Sequence, residues 1–249
     1  SSSILDSAVQ TGTSVTHEID LQLSGVSKDG NSDVVYIEVP NEVAQADNFD
    51  VSSSPSSEQS SSTSSSNIVS GSDGDQVDDT IKFDISSGGG DTYAPLIELS
   101  VNTQYTTSDT DFPYDVRVED SDGDTLDYTT FATVTTDDTA PSIQTASKSG
   151  SSPTTVDVTL KDTGVGFDAS TVDASDFDVT NSGTSVVDTN NGGVVVNTVN
   201  DGDGTVTATI TLDGDHSSSE VTAEIVGDIS DLAGNTVSSD SQVANTAQA

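Results

Sequence analysis

Apolar and polar residues alternate along much of this chain. Between Val15 and Leu23, the apolar side chains of Ile19, Leu21 and Leu23 are separated by Asp20 and Gln22. A period of two predicts a strand with one buried face. Comparable strand signals follow at 35–39, 81–85, 96–101, 114–119, 126–134, 156–160, 194–199, 206–212, 221–225 and 236–237. The pattern therefore predicts an all-β chain of short strands.

Turn and linker residues divide these strands into two groups. The run from Asp137 to Pro141 is the best boundary, because Pro141 fixes its own φ and favours an extended residue before it. We predict one β-sandwich domain over residues 15–137 and a second over 138–249. Residues 1–14 precede the first strand as an extended arm, and the Ser-rich stretch 52–66 is predicted to be an exposed loop.

Composition narrows the class of protein. The hydrophobic share is only 31% and aromatic residues make up 4%, so any core must be built mainly from small aliphatic side chains. The formal net charge is −38, from 43 acidic and 5 basic residues. A protein that binds nucleic acid needs Lys and Arg to contact the phosphates, so we expect that this chain does not bind nucleic acid.

The same charge predicts an environment. Repulsion among so many carboxylates opposes folding at low ionic strength, and about 1 M salt shortens the Debye length to about 3 Å. We therefore expect adaptation to concentrated brine. The alternative is an ordinary acidic secreted protein that is neutralised by divalent ions.

Cysteine and long apolar segments are both absent from the sequence. The chain has no Cys, which excludes disulfides, thiolate metal ligands and a Cys nucleophile. No apolar run approaches the roughly 20 residues that span a bilayer. We expect no membrane insertion.

Motifs of the C-terminal half resemble a known class of domain. They are Ala140-Pro141-Ser142-Ile143, the run from Leu160 to Phe177, and the closing Asp231-Leu232-Ala233-Gly234-Asn235-Thr236. Together they resemble the Ig-like repeats of prokaryotic surface proteins, most closely those of large haloarchaeal cell-surface proteins, over roughly residues 138–240. The resemblance implies an Ig-like β-sandwich in an extracellular, cell-surface protein that serves as spacer, adhesive domain or building block. The first domain resembles this family only in style, and with its strand pattern we expect an all-β chain of two tandem Ig-like β-sandwich domains.

Acidic turns are the candidate metal sites. Asp120, Asp122 and Asp124 alternate with Ser121 and Gly123, which matches the first half of a calcium loop. The twelfth position from Asp120 is Phe131 and not Glu, so an EF-hand is excluded. Asp73-Gly74-Asp75 and Asp201-Gly202-Asp203 are weaker candidates. The alternative is that Asp-Gly pairs merely form hairpin turns. Calcium is the one cofactor that these residues suggest.

Catalytic motifs are not recognisable. His17 and His216 lie in different predicted domains, His17 on the inward phase of its strand and His216 in a polar turn. No nucleophile elbow, phosphate loop or His-Glu-x-x-His motif occurs. We therefore expect a protein that is not an enzyme.

The resulting hypothesis is a structural subunit that assembles with copies of itself into a filament, pilus or surface layer. Ile4, Leu5, Ala8 and Val9 in the arm are the predicted interface, because an extended segment with apolar anchors can add to the sheet edge of a neighbour. The alternative is an adhesive or spacer Ig-like module of a larger cell-surface protein, stiffened by calcium. Other cell-surface proteins are then the expected partners.

Overall fold

The computed structural model describes residues 2–23, 26–27, 33–44, 50–53, 68–69, 80–84, 92–93, 96–120 and 122–246. The chain forms two compact units, Ser1–Thr136 and Asp137–Ala249. The division lies one residue before the boundary expected from the sequence. Within the described ranges, no helix is long and apolar enough to cross a membrane.

The described residues of the first unit form twelve strands and one short helix, α1 (Asn41–Ala44). Its strands are β1 (Ser3–Ile4), β2 (Ala8–Val9), β3 (Ser14–Gln22), β4 (Val26–Ser27), β5 (Val34–Glu38), β6 (Asp50–Ser53), β7 (Ile68–Val69), β8 (Thr80–Asp84), β9 (Thr92–Tyr93), β10 (Leu96–Gln104), β11 (Asp111–Glu119) and β12 (Thr125–Thr136). One sheet has the order β1-β3-β10-β6 and the other the order β2-β12-β11-β5-β8-β7. A two-stranded sheet pairs β4 with β9.

Over its described residues, 137–246, the second unit has eleven strands and two 3-10 helices, Ala169–Thr171 and Ala174–Asp176. Its strands are β13 (Ser142–Ser149), β14 (Thr155–Lys161), β15 (Phe177–Asn181), β16 (Thr184–Ser185), β17 (Val194–Val196), β18 (Thr205–Thr211), β19 (Thr222–Ile225), β20 (Ile229–Ser230), β21 (Thr236–Val237), β22 (Asp240–Val243) and β23 (Asn245–Thr246). The two main sheets have the orders β17-β18-β14-β13-β23 and β16-β15-β19-β22, and β20 pairs with β21.

Alternating side chains build one core in each unit. In β14, Val156, Val158 and Leu160 are fully buried while Asp157 is exposed. Strands of both main sheets of a unit contribute to the same apolar cluster, and each unit has its own cluster. The predicted fold class, all-β with two tandem Ig-like β-sandwiches, is confirmed by this arrangement.

The arm predicted at residues 1–14 is part of the first unit. β1 pairs antiparallel with β3, where Ile4 lies opposite Ile19. β2 runs parallel to the end of β12, where Val9 lies opposite Thr136. The predicted Ser-rich loop 52–66 lies outside the described residues, except for the end of β6.

Candidate metal centre

Three aspartates of the second unit converge in its interior. Asp137 is the first residue of the unit, Asp162 follows β14, and Asp231 lies between β20 and β21. All three are buried, and each contributes a carboxylate oxygen that lies within 4.8 Å of the others. Within the described ranges, no other group of three or more His, Cys, Asp or Glu residues meets this criterion. We call Asp137, Asp162 and Asp231 the aspartate cluster.

Backbone amides orient the carboxylate of Asp162. The loop after β14 turns back, so that the amides of Gly164 and Gly166 donate to Oδ2 of Asp162 at 3.1 and 2.7 Å. The same loop presents the amide of Val165 to Oδ2 of Asp137 at 3.0 Å. One short loop therefore positions two of the three carboxylates.

The closing Asp-Leu-Ala-Gly-Asn-Thr motif positions the third carboxylate. The amide of Asn235 donates to Oδ1 of Asp231 at 2.9 Å, and its side-chain Nδ2 donates to Oδ2 at 2.8 Å. The same Nδ2 donates to the main-chain oxygen of Asp137 at 2.8 Å. Asn235 thus connects the start of the unit to the turn that carries Asp231.

Position 164 has no room for a side chain. A Cβ at this position would lie 1.8 Å from Oδ2 of Asp137, far inside van der Waals contact. Any larger residue must displace the Asp137 carboxylate or the loop. The glycine therefore allows the main chain to approach the aspartate cluster closely.

One oxygen of the cluster has no hydrogen-bond partner. Oδ1 of Asp162 is buried and accepts no hydrogen bond, and the whole residue is only 4% exposed. A buried charged oxygen without a partner is costly, and native proteins rarely retain one. This unpaired oxygen, in addition to the three converging carboxylates, indicates that the site takes a positively charged ligand.

Electrostatics support the same conclusion. Burial raises the pKa of Asp231, hydrogen bonds from Asn235 oppose this shift, and the charges of Asp137 and Asp162 reinforce it. Among the described residues, no ion pair includes Asp137, Asp162 or Asp231. A bound cation would offset the negative charge that this site brings together.

The donor atoms select the class of cation. Every side chain of the aspartate cluster offers carboxylate oxygen, and neither His nor Cys contributes. Hard oxygen donors suit Ca²⁺ and Mg²⁺, whereas Zn²⁺ and copper sites usually include nitrogen or sulfur. The arrangement fits a divalent alkaline-earth cation.

The structure places the predicted calcium residues Asp120, Asp122 and Asp124 in the hairpin between β11 and β12. Oδ1 of Asp120 accepts the amides of Asp122 and Asp124 at 3.0 and 2.9 Å. Asp122 and Asp124 are exposed. The carboxylate of Asp120 thus stabilises the turn through local hydrogen bonds, and calcium binding there stays a prediction.

The weaker acidic candidates Asp201 and Asp203 accept hydrogen bonds from main-chain amides. Asp201 accepts the amide of Ala169 through Oδ1 at 3.0 Å, and Asp203 accepts the amide of Asn200 through Oδ2 at 2.8 Å. Both contacts stabilise loops. Asp73-Gly74-Asp75 lies outside the described residues.

The two histidines occupy different environments. His17 is fully buried in β3 and makes edge-type contacts with the rings of Tyr105 and Tyr114. His216 lies in a turn, where its Nε2 is 2.8 Å from Oδ1 of Asp213.

The predicted interface residues lie on the first unit itself. Val9 is buried in the core and Ile4 packs against it. Ala8 is half-buried, whereas Leu5 is 58% exposed. Donation of this segment to a neighbour stays a prediction, and it would require the segment to leave these positions.

The aspartate cluster was missed by sequence reasoning, although all three members lie in regions that had been singled out. Asp137 was interpreted as linker, Asp162 lies in the run from Leu160 to Phe177, and Asp231 was interpreted as the start of the closing motif, but none was predicted to bind a metal. The available signal was the pairing of the first Asp of Asp-Asp-Thr-Ala-Pro with the Asp of Asp-Leu-Ala-Gly-Asn. Only the fold shows that these motifs meet.

Comparisons with known proteins add little. No protein-family model matches the chain, and no curated protein matches it. Among solved structures, a chimeric titin Z1Z2-Z1Z2 tandem functionalized with a GRGDS peptide from fibronectin is similar at 12% identity, with all of both chains covered and a TM-score of 0.24. So low a TM-score supports no conclusion about this chain.

Proposed function

We propose that this chain is an adhesive or spacer Ig-like module of an extracellular cell-surface protein, and that a divalent cation, calcium first, stiffens its second unit. The observation that carries the proposal is the aspartate cluster with its buried, unpaired Asp162 oxygen. A structural module needs a fixed shape, and a buried cation supplies it without a large apolar core.

The connectivity of the cluster explains how a cation would act. Its three ligands come from the start of the unit, the loop after β14 and the turn between β20 and β21. Binding would tie these segments together and offset the repulsion among their carboxylates. Release of the cation would loosen the same end of the unit, because three negative charges would then face one another.

An extracellular location would suit a calcium site of moderate affinity. Extracellular modules bind calcium with dissociation constants of about 10⁻⁴ to 10⁻³ M, which matches calcium supply outside cells. The net charge of −38 creates a negative potential that attracts cations, and it supports the proposal that the protein works at high salt concentration. Partners would be other parts of the same surface assembly.

Isothermal titration calorimetry with CaCl₂ and with MgCl₂, after chelation and at constant ionic strength, tests the proposal. We expect one cation to bind in the second unit of the wild type. Asp162→Asn should weaken this binding more than tenfold, because it removes the charge of the unpaired oxygen. Asp228→Asn is the matched control, since Asp228 is an exposed acidic residue close to Asp231 in sequence.

The results separate the proposal from general charge screening. Equal binding by the wild type and Asp162→Asn would show that the cluster is not the site. Weakening by Asp228→Asn to the same degree would indicate nonspecific attraction to an acidic surface.

A second candidate function is self-assembly by exchange of the N-terminal segment, which we define as residues 3–9. This segment is held by two strands of only two residues each, β1 and β2. The same segment from another copy can form the same main-chain hydrogen bonds. The exchange would build a filament or layer from copies of the chain.

A reversible cross-link tests this candidate. Ile4 and Ile19 lie directly opposite in the β1–β3 pair, so Ile4→Cys with Ile19→Cys can lock the segment in place. We expect the oxidised variant to stay monomeric in high salt and the reduced variant to assemble. Assembly of the fully oxidised protein would contradict exchange.

A further inference from the structure

His17 forms a directed hydrogen-bond chain inside the first unit. Its Nδ1 lies 3.0 Å from the main-chain oxygen of Leu5, and its Nε2 lies 2.9 Å from the hydroxyl of Tyr105. The Tyr105 hydroxyl is in turn 2.7 Å from that of Tyr114. This series of hydrogen bonds therefore extends from the N-terminal segment into the core.

The Leu5 carbonyl fixes the direction of every bond. A carbonyl oxygen only accepts, so Nδ1 of His17 must carry the hydrogen. In the neutral ring, Nε2 then accepts from the Tyr105 hydroxyl, and the Tyr105 oxygen accepts from Tyr114. All the bonds are satisfied when His17 is neutral.

Protonation of His17 breaks this order. Nε2 would carry a hydrogen, so Tyr105 could no longer donate to it and would have to turn its hydroxyl towards Tyr114. The hydroxyl hydrogen of Tyr114 would then need a new acceptor inside the core. A positive charge would also lie in contact with two aromatic rings, at a position with no exposed surface.

Titratable groups around His17 do little to stabilise that charge. Burial lowers the pKa of His17, whereas the Leu5 carbonyl and the carboxylate of Asp6 oppose this shift. Asp6 is exposed, and Glu18 and Asp20 alternate with His17 towards the outer face of β3. Towards the core it meets Tyr105 and Tyr114, and Glu42 acts on Tyr105 from α1.

The N-terminal segment covers His17 and is held by few hydrogen bonds, although its Val9 is buried in the core. It is held by β1, by β2, by the Leu5 amide on the oxygen of Glu18 at 2.9 Å, and by its Ser7 oxygen on the amide of Thr135 at 2.8 Å. Local opening of so few bonds requires much less free energy than unfolding the sandwich. Its departure would let water reach the charged ring.

We propose that His17 is a pH-sensitive latch for the N-terminal segment: neutral His17 holds residues 3–9 on the first unit, and protonated His17 releases them. Release exposes main-chain groups at the edge of β3 and at the end of β12, to which β1 and β2 were paired. This consequence extends the second candidate function, since those edges are where a neighbour's strand would bind.

NMR spectroscopy of the whole chain tests the latch. The ring signal of His17 is followed through a pH titration together with the amide signals of residues 3–9, and His216→Gln assigns the second histidine signal. We expect both sets of signals to change with one midpoint below pH 6.5. In His17→Gln, the segment amides should stay unchanged over the same range.

Tyr105→Phe is the second variant, and it keeps the bond between His17 and Leu5. Loss of the hydroxyl that donates to neutral His17 should move the release midpoint to higher pH. Titration of His17 without any change in the segment amides would overturn the proposal. Release at the wild-type pH in His17→Gln, or an unmoved midpoint in Tyr105→Phe, would also overturn it.

Size measurements on the same samples separate the latch from strand exchange. Released segments in a protein that stays monomeric would contradict exchange and leave the latch standing. Polymers that form while the segment amides remain unchanged would contradict the latch as the trigger of assembly.

Discussion

The two units bury polar side chains in opposite ways. In the first, His17, Tyr105 and Tyr114 satisfy one another through uncharged hydrogen bonds. In the second, the aspartate cluster brings three carboxylates together and leaves Oδ1 of Asp162 unpaired. Among the described residues, the His17, Tyr105 and Tyr114 group is satisfied within the first unit, whereas the aspartate cluster would be balanced by a cation or by protons. The two units should therefore respond differently to the same change in solution.

The largest expected effect comes from Gly164→Ala in the second unit. The added Cβ would overlap the Asp137 carboxylate, so we expect the free energy of unfolding of this unit to fall by about 3 kcal/mol. Gly204→Ala is the control, because its Cβ would meet only the main-chain oxygen of Asp162, at an ordinary contact distance of 3.6 Å. Calorimetric unfolding of both variants in calcium measures the difference; similar losses would argue against a tightly fitted cluster.

The next effect concerns the hydrogen-bond chain of the first unit. Tyr105→Phe leaves two buried groups without partners, Nε2 of His17 and the hydroxyl of Tyr114, and should cost about 2 kcal/mol. Tyr114→Phe removes only a donor to Tyr105 and should cost about 1 kcal/mol. Denaturant unfolding at pH 8, followed by tyrosine signals, measures both. The reverse order would contradict the bond directions assigned above.

The exposed Tyr128 is the control for this pair. Its hydroxyl contacts Asp115 and Glu38, and burial followed by these two carboxylates raises its pKa to about 12. Because the side chain is exposed, Tyr128→Phe should change the free energy of unfolding by less than about 0.5 kcal/mol.

A smaller effect is expected from pH in the calcium-free second unit. Because burial and the neighbouring Asp137 and Asp162 raise the pKa of Asp231, the folded unit holds this proton more tightly than the unfolded chain. The contribution of Asp231 therefore stabilises the unit at low pH and is lost as pH rises above 3.8 towards the folded-state pKa. Unfolding in chelator between pH 4 and 7 measures this trend.

Asp231→Asn supplies the check on that interpretation. It should flatten the pH trend in chelator and remove the stabilisation by calcium. An unchanged trend in Asp231→Asn would assign the dependence to other carboxylates.

The smallest effect is expected at the hairpin of Asp120. Asp120→Asn keeps an oxygen for the two amides, so the free energy of unfolding of the first unit should change by less than about 0.5 kcal/mol. A calcium-dependent rise in the stability of the first unit, lost in Asp122→Asn, would instead confirm calcium at this hairpin.

Local patterns predicted much of the fold. The alternation in β14 and β18 gave their inward faces correctly, because Val156, Val158, Val206 and Ala208 are buried. Phe177 begins β15 directly after the second 3-10 helix, and a single apolar residue at this place carries no period that could predict the strand. Pairing between distant segments, such as β1 with β3, leaves no local signal.

The site was harder to predict for a similar reason. Asp137 and Asp231 are 94 positions apart in the numbering, and each lies in a chain that has 43 acidic residues. Acidic residues close together in sequence, such as Asp120 and Asp122, therefore attracted the prediction. What distinguishes the aspartate cluster is burial and an unpaired oxygen, and both arise only when three loops meet.

The central claim is that calcium acts on the second unit through the aspartate cluster. Differential scanning calorimetry with calcium and with chelator tests it most directly. Tyrosine fluorescence, recorded in a parallel melt, reports unfolding of the first unit, because all five tyrosines lie there. At 100 times the dissociation constant, calcium should stabilise the second unit by about 2.7 kcal/mol and raise its melting temperature by roughly 10 °C. The tyrosine transition should stay unchanged. An unshifted second transition, or an equal shift in Asp162→Asn, would contradict the account.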